Sequence, residues 1–273
     1  MVEPITTVGL GAIAAYLGKD GLAKLLGPTA EYLGEGLRDF TRRRAENISR
    51  IFQKASEKLG DRIEAPGEVP PRVLKVIVDE GSFCDDDLMA EYFGGVLASS
   101  RTELGRDDRG ARMAKLLDGL STYQIRTHYL VYGTIKHLFA DAKLPFNIDG
   151  RPKMRVFLPF SGYEPAMEFS AAENQQFGSL LQHIFFGLSA ENLIEPSYWR
   201  YGPKEKIIDL YTEAQDGGIV CQPSALGAEL FLWAFGRSDK EIDYIFDPSF
   251  NISVNAVPPY IPGASATRKD GET

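Results

Sequence analysis

Cysteine and histidine are scarce in this sequence, and their scarcity excludes several classes of protein. The two cysteines, Cys84 and Cys221, cannot hold together a chain of 273 residues by disulfides, and their separation gives no metal-ligand spacing. Three histidines leave little room for imidazole acid–base chemistry. A chain with so little cysteine is typical of a reducing compartment, and we expect a cytoplasmic location.

Sequence motifs of the common enzyme classes are also missing. The chain has no HExxH sequence, no nucleophile elbow, no phosphate-binding loop and no paired cysteine motif. His128 and His137 lie more than two helical turns apart, so they cannot bind one metal ion in the usual i, i+4 manner. The sequence therefore predicts no catalytic residue, no cofactor and no metal site. It favours a non-enzymatic protein but leaves enzymatic activity undecided.

Neither a surplus of positive charge nor a membrane-spanning run is present. The 30 basic residues are outnumbered by 38 acidic ones, which gives a formal net charge of −8. Because proteins that bind phosphate backbones usually carry a basic surplus, we do not expect nucleic acid as a partner. The uncharged stretch from Ile5 to Gly18 is shorter than the ~20 apolar residues that a bilayer-spanning helix needs.

An apolar, glycine-rich segment covers residues 5–27. Leu10, Ile13 and Leu17 fall on one helical stripe, and the first half of the segment is apolar nearly all round. We expect this segment to pack against its own domain or a second copy of the chain. Insertion into an apolar environment, such as the surface of the inner membrane, is the alternative.

A long amphipathic helix is predicted from Thr29 onward, where threonine is a suitable N-cap. Apolar residues follow in steps of three and four, and this seam runs for roughly 50 Å at about 1.5 Å per residue. Leu37, Arg44 and Ile48 lie on the seam and are candidates for self-association. Because a buried arginine needs a partner, we expect the basic part of this helix to face the acidic block at 79–91.

Three consecutive aspartates, Asp85 to Asp87, precede the next predicted helix, which covers Leu88 to Ser100. Carboxylates in this position cap free backbone N–H groups and oppose the helix dipole. Helix initiation is therefore the favoured interpretation, and a nuclease or other metal-dependent site is the alternative. The adjacent Cys84 is a poor nucleophile, because neighbouring carboxylates raise the pKa of a thiol.

The order of predicted elements indicates a mainly α protein with a helical amino-terminal half and a winged-helix-like α+β carboxy-terminal half. The expected parts are an apolar segment at 1–28, a helical domain at 29–140, a linker with a strand at 141–170, a winged-helix-like domain at 171–250 and a flexible tail at 251–273. The helix predicted at 171–192 contains no Lys or Arg. It is a poor fit for the DNA major groove, which favours a protein-binding role.

Short sequences in a fixed order connect the first half of the chain to a known family. They are Leu26–Glu35, Arg44–Ile48, Val69–Leu74, Asp85–Leu88, Gly95–Ser99 and Leu117–Ser121. In this order and spacing they resemble the Abi-alpha family of bacterial abortive-infection proteins, and Ser224–Leu230 is similar to the closing helix of that family. The resemblance implies a bacterial or phage-related origin and a role in antiviral defence. It brings no catalytic residues.

We therefore expect a non-enzymatic component of a phage-defence system. It would act through protein contacts or through residues 5–27 at the membrane. A soluble oligomeric scaffold or regulator that binds a protein partner is the alternative. The candidate interaction residues are Leu10, Ile13, Leu17, Leu37, Arg44 and Ile48.

Overall fold

A computed structural model describes residues 24, 42–103, 106–207 and 217–267 of the chain. By internal contacts the chain forms two compact units. Among the described residues, the first unit holds 24, 42–103, 106–120 and 232–239, and the second holds 121–207, 217–231 and 240–267. Helices predominate and four strands form one antiparallel sheet, which confirms the expected α+β composition in this coarse form. The division falls after Leu120, earlier than the linker expected at 141–170.

The first unit is built from helices. They are α1 (Arg42–Leu59), α2 (Pro71–Gly81), α3 (Asp87–Ser99) and α4 (Arg109–Asp118). Gly60 follows α1 with a left-handed φ of 51° and begins a short 3-10 helix, Gly60–Glu64. Glycine adopts this conformation at the least cost, which explains why α1 ends there. Residues 29–41 of the predicted long helix lie outside the described residues, so its full length stays a prediction.

Helices α1 and α3 pack closely and supply much of the core of the first unit. Their buried apolar side chains are Ile48, Ile51, Phe52, Ala55, Tyr92, Phe93, Val96 and Leu97. Gly94 lies where the two helices come closest, and a Cβ there would lie 2.9 Å from the backbone oxygen of Ile51. Such an approach is open only to glycine, because other residues place a methyl group or more in that space.

Opposite charges also face each other across α1 and α3, as the sequence predicts. Arg50 pairs with Asp87 at 2.8 Å, and the Nζ of Lys54 lies 2.7 Å from one Glu91 oxygen while Lys58 pairs with the other. Burial acts to raise the pKa of Glu91, but the two lysines outweigh it and hold that pKa below its ordinary value. Burial is the largest cause that lowers the pKa of Lys58, and together with the charge of Lys54 it outweighs the opposite effect of Glu91. We call Lys54, Lys58 and Glu91 the charge cluster.

The aspartates before α3 initiate the helix, as predicted. Asp86 is the N-cap, and its side chain accepts a hydrogen bond of 2.8 Å from the backbone N–H of Met89. Asp87 lies in the first turn, where a carboxylate opposes the helix dipole. Within the part of the chain that the structure describes, no group of three or more His, Cys, Asp or Glu side chains is arranged to hold a metal ion.

The second unit combines helices with the sheet. Its elements are α5 (Thr122–Phe139), β1 (Val156–Pro159), α6 (Phe160–Met167), α7 (Ala171–Asn174), α8 (Phe177–Ala190), β2 (Ile194–Gly202), α9 (Lys204–Ile207), β3 (Gly218–Pro223), α10 (Ala225–Ala234, up to Phe231 in this unit) and β4 (Ser265–Ala266), with short 3-10 helices at Arg151–Lys153 and Ile242–Phe246. Ser121 and Gln124 form a capping box at the start of α5. The Oγ of Ser224 accepts from the N–H of Gly227 at the start of α10.

The sheet has the order β2-β3-β1-β4, and every described pair of neighbouring strands is antiparallel. Cys221 of the central strand β3 lies opposite Val156 of β1 on one side and Trp199 of β2 on the other. All residues of β1 and β3 are buried, whereas most of β2 is partly or fully exposed. Strand β2 is therefore an outer strand, and its side chains reach the surface.

Residues 251–267 differ from the flexible tail that their composition predicts. Ile252 and Ile261 are buried in the second unit, and β4 pairs with β1. The backbone N–H of Thr267 donates a 2.9 Å hydrogen bond to the carbonyl oxygen of Arg155. Proline and glycine shape turns here, while the scattered isoleucines provide buried contacts. Residues 268–273 lie outside the described residues.

Candidate binding surface

Neither cysteine is suited to nucleophilic chemistry. Cys84 and Cys221 are both free and buried. Burial is the largest cause that raises the pKa of each thiol, to about 12, and the aspartates near Cys84 add to the effect there. Because the thiolate is the reactive form, thiols with such a pKa are inert at neutral pH.

The contacts of His128 and His183 indicate structural roles for both side chains. His128 is wholly buried, and its Nε2 lies 3.0 Å from the backbone oxygen of Gly227. Burial lowers the pKa of His128 to about 3, so the ring is neutral and its Nε2–H donates to that oxygen. His183 lies on the surface with its Nε2 2.9 Å from the Oγ of Ser121, the residue that caps α5.

His128 gives the second unit a testable dependence on pH. Its pKa is lower in the folded than in the unfolded chain, so the unfolded chain binds more protons and stability rises with pH. We expect the free energy of unfolding to fall as the pH drops below about 6.5, the unfolded value. In His128→Gln this fall should be reduced, as chemical denaturation between about pH 7 and 4 would show. An unchanged slope in His128→Gln would contradict the assignment.

The candidate interaction residues from the sequence divide into two groups. Leu10, Ile13, Leu17 and Leu37 lie outside the described residues. Ile48 is fully buried in the core of the first unit, so it faces its own chain and not a partner. The Nε of Arg44 donates to the Oγ of Ser82 at 2.9 Å, and its guanidinium lies 4.2 Å from the ring centre of Phe83.

No helix among the described residues is long and apolar enough to cross a bilayer.

An exposed aromatic surface lies where α8 passes the outer strand β2. Phe186 is 55% exposed and Tyr198 is 48% exposed, which is high for side chains of this size. The ring of Trp199 stands perpendicular to that of Phe186 with centres 5.1 Å apart, and it stacks on Tyr201 at 6.0 Å. We call Phe186, Tyr198, Trp199 and Tyr201 the aromatic edge.

The aromatic edge is anchored to the core of the second unit. Side chains alternate along a strand, so Trp199 and Tyr201 share one face of β2 while Tyr198 and Arg200 share the other. On the first face, the buried ring of Phe185 stacks against Trp199 with centres 6.0 Å apart. This contact fixes the tryptophan ring before any partner arrives, which lowers the entropy cost of binding.

Positive charge lies on one face of the aromatic edge, in contrast to the acidic chain as a whole. The guanidinium of Arg155 lies 4.7 Å from the ring centre of Tyr198, and Arg200 shares the face of β2 with Tyr198. The neighbouring helix α9 carries Lys204 and Lys206, and the carboxylates on β2 and α9 are Glu195 and Glu205. The Tyr198 face is therefore locally basic and complements an acidic partner.

The outer side of β2 is poorly suited to accept a further regular strand. No described strand pairs with that side, because β2 ends the sheet order. Pro196 lies within β2, and the pairing with β3 is irregular between Ile194 and Trp199. A proline and an irregularity of this kind protect outer strands from strand addition. The aromatic edge thus offers side chains to a partner more than backbone groups.

Sequence reasoning missed the aromatic edge as a site. Phe185 and Phe186 are neighbours on one helix, and local spacing alone does not show which ring stays exposed. The run Tyr-Trp-Arg-Tyr was the available signal, since an alternating strand exposes part of such a run on each face. Tryptophan, tyrosine and arginine are also the residues that dominate binding energy at protein interfaces.

Comparison with known proteins adds no relative. No protein-family model, curated protein or solved structure matches the chain. The residues and geometry of the chain itself therefore carry the functional assignment.

Proposed function

We propose that the chain is a non-enzymatic component of a bacterial phage-defence system and that it binds a protein partner at the aromatic edge. The observation that carries the proposal is the exposed ring of Phe186 held against Trp199 above the buried Phe185. Exposed, pre-positioned aromatic side chains with arginine at their border are typical of binding hot spots.

The element order around this surface supports a winged-helix-like arrangement. Helix α8 is followed by β2, the four-residue helix α9, β3 and then α10, so apart from α9 the order is helix, strand, strand, helix. Helix α8 carries no Lys or Arg, so it lacks the side chains that usually contact phosphates and guanine. This feature favours a protein over DNA as the partner of the module.

The chemistry of the surface specifies the kind of partner. Phe186 and Trp199 need apolar or aromatic side chains to cover them, since burial of this area drives association. Arg155 and Arg200, on the Tyr198 face of β2, favour carboxylates beside that apolar centre. The partner is therefore a protein segment with apolar residues for Phe186 and Trp199 and acidic residues for the Tyr198 face.

The link to phage defence rests on the resemblance to the Abi-alpha family. Several of the shared sequences fall at helix starts, which supports a common fold. Val69–Leu74 leads into α2, Asp85–Leu88 contains the N-cap of α3, and Leu117–Ser121 ends at the N-cap of α5. A role of residues 5–27 at the membrane rests on their sequence alone, because all but Lys24 lie outside the described residues.

A plating assay tests the proposal in cells that carry the complete system. We expect the wild-type chain to reduce phage plating and Phe186→Ser to abolish most of that protection, because the exposed ring at the centre of the surface is lost. Ile148→Ser is the matched control, since Ile148 is an exposed apolar residue of the same unit. Ile148→Ser should alter the free energy of unfolding by only about 0.5 kcal/mol, and Phe186→Ser by about 1 kcal/mol because it also loses the ring contact with Trp199.

Two results would contradict the proposal in different ways. Full protection by the Phe186→Ser variant would show that the aromatic edge has no part in the function. A wild-type chain that protects against no phage, although it is folded and expressed with its neighbouring genes, would remove the defence role itself.

A further inference from the structure

A groove between α2 and α4 of the first unit has no part in the proposed function. Its volume is about 350 Å³. Its lining combines the apolar Val76 and Ala111 and the carboxylate of Asp108 with four cations. These cations are Arg72, Arg109, Arg112 and Lys115. The concentration of positive charge contrasts with the net charge of −8 of the whole chain.

The spacing of the cations places them in a row. Arg109, Arg112 and Lys115 recur every three residues along α4. Successive members are therefore separated by a rise of about 4.5 Å along the helix axis and lie on neighbouring parts of its surface. Arg72 reaches the groove from the first turn of α2. Cations from two helices therefore converge on one cavity.

The partners of these cations leave one positive charge unmatched. Arg72 pairs with Asp108 at 2.7 Å, Arg109 contacts both oxygens of Asp107, and Lys115 lies 3.7 Å from Glu80. Three of the four cations thus have a carboxylate. Arg112 is exposed and makes no hydrogen bond or ion pair with any described residue.

A ligand anion can replace the carboxylate partners of the arginines in the groove. The side chains of Arg72 and Asp108 are 76% and 46% exposed, and exposed pairs of this kind contribute little stability. A dianionic group could therefore bond to Arg72 and Arg112 together without a large loss elsewhere. A guanidinium donates two parallel N–H hydrogen bonds to two oxygens of one phosphate group. Phosphate is therefore the anion that these arginine side chains fit best.

We propose that this groove binds a small ligand that carries two or more linked phosphate groups, with Arg112 as its principal contact. The cavity volume is near the lower end of the range for ligand pockets, about 300–1,000 Å³, which suits a small molecule and not a duplex. The proposal concerns the first unit alone and is independent of the aromatic edge.

Calorimetric titration of the full-length protein tests the proposal with two probes, inorganic tripolyphosphate and magnesium-free ATP. We expect Arg112→Ala to weaken binding about tenfold or more, and Arg112→Lys to weaken it less, because lysine keeps the charge but not the fork. Arg43→Ala is the matched control. It removes one exposed helical arginine of the same unit outside the groove, and it should bind as the wild type does.

The two probes also distinguish the sources of the phosphate chain. Equal affinity for tripolyphosphate and ATP supports recognition of the phosphates alone, and tighter binding of ATP supports recognition of a nucleotide. The proposal is overturned if neither probe binds the wild type at low salt, if Arg112→Ala binds as well as the wild type, or if Arg43→Ala loses as much affinity as Arg112→Ala.

Discussion

Replacing Glu91 with glutamine is expected to lower the free energy of unfolding of the first unit by about 3–5 kcal/mol. The side chain of Glu91 is 8% exposed and joins Lys54 to Lys58, whose side chains are 24% and 14% exposed. Glutamine keeps the shape but not the charge, so two largely buried ammonium groups lose their counterion. Denaturant titration in a Trp199→Phe background measures this loss, because the remaining Trp233 lies in the first unit.

A matched control and a rescue separate the charge cluster from general effects on α1 and α3. Glu57→Gln removes an exposed glutamate of α1 and should cost only about 0.5 kcal/mol. Adding Lys54→Met and Lys58→Met to Glu91→Gln should restore much of the stability, because the unpaired charges are then gone. A loss below about 1 kcal/mol in Glu91→Gln would contradict the role given to the cluster.

The charge cluster should also be sensitive to acid. The pKa of Glu91 is lower in the folded chain than in the unfolded chain, so the folded chain binds fewer protons at acidic pH. Its contribution is complete above the unfolded value of about 4.3 and is lost as the pH falls through the lower, folded value. The stability difference between wild type and Glu91→Gln should therefore shrink at acidic pH.

Replacing Gly95 with alanine should destabilise the first unit by about 3 kcal/mol. Gly95 lies on α3 at a point where an added Cβ would overlap the backbone carbonyl of Ala234. Backbone cannot move aside as the end of a flexible side chain can, so the helix must shift or the methyl group must strain the packing. Thermal or denaturant unfolding measures the loss.

Gly178 provides the opposite case for the same substitution. It lies in helix α8, and an added Cβ there would meet no atom within 4 Å. Alanine has the higher helix propensity, so Gly178→Ala should stabilise the protein by about 0.5 kcal/mol. If Gly95→Ala proved as harmless as Gly178→Ala, that result would contradict the close approach of Gly95 to the backbone carbonyl of Ala234.

The local features of the fold follow from the sequence because short-range chemistry determines them. Asp86, Ser121 and Ser224 cap helices where their side chains predict it. The charges of α1 and α3 also face each other as predicted, since opposite signs on two adjacent amphipathic helices favour that pairing.

The aromatic edge and the buried carboxy-terminal residues could not be predicted in the same way. The exposure of Phe186 depends on which side of α8 meets the sheet, and that choice is made by packing against β2 and not by local spacing. Likewise, Ile261 is buried where its backbone N–H donates to the Oγ1 of Thr134, a residue of α5 far away in the sequence. Composition rich in proline and glycine cannot distinguish such an ordered turn-rich segment from a disordered one.

Site-specific photo-crosslinking in cells tests partner binding at the aromatic edge most directly. A photoreactive phenylalanine analogue at position 186 should form one discrete adduct with a protein, and adding Trp199→Ala should reduce it strongly. The same analogue at Phe83, an exposed phenylalanine of the first unit, should not form that adduct. Only nucleic-acid or lipid adducts at position 186, or the same protein adduct from both positions, would contradict partner binding at the aromatic edge.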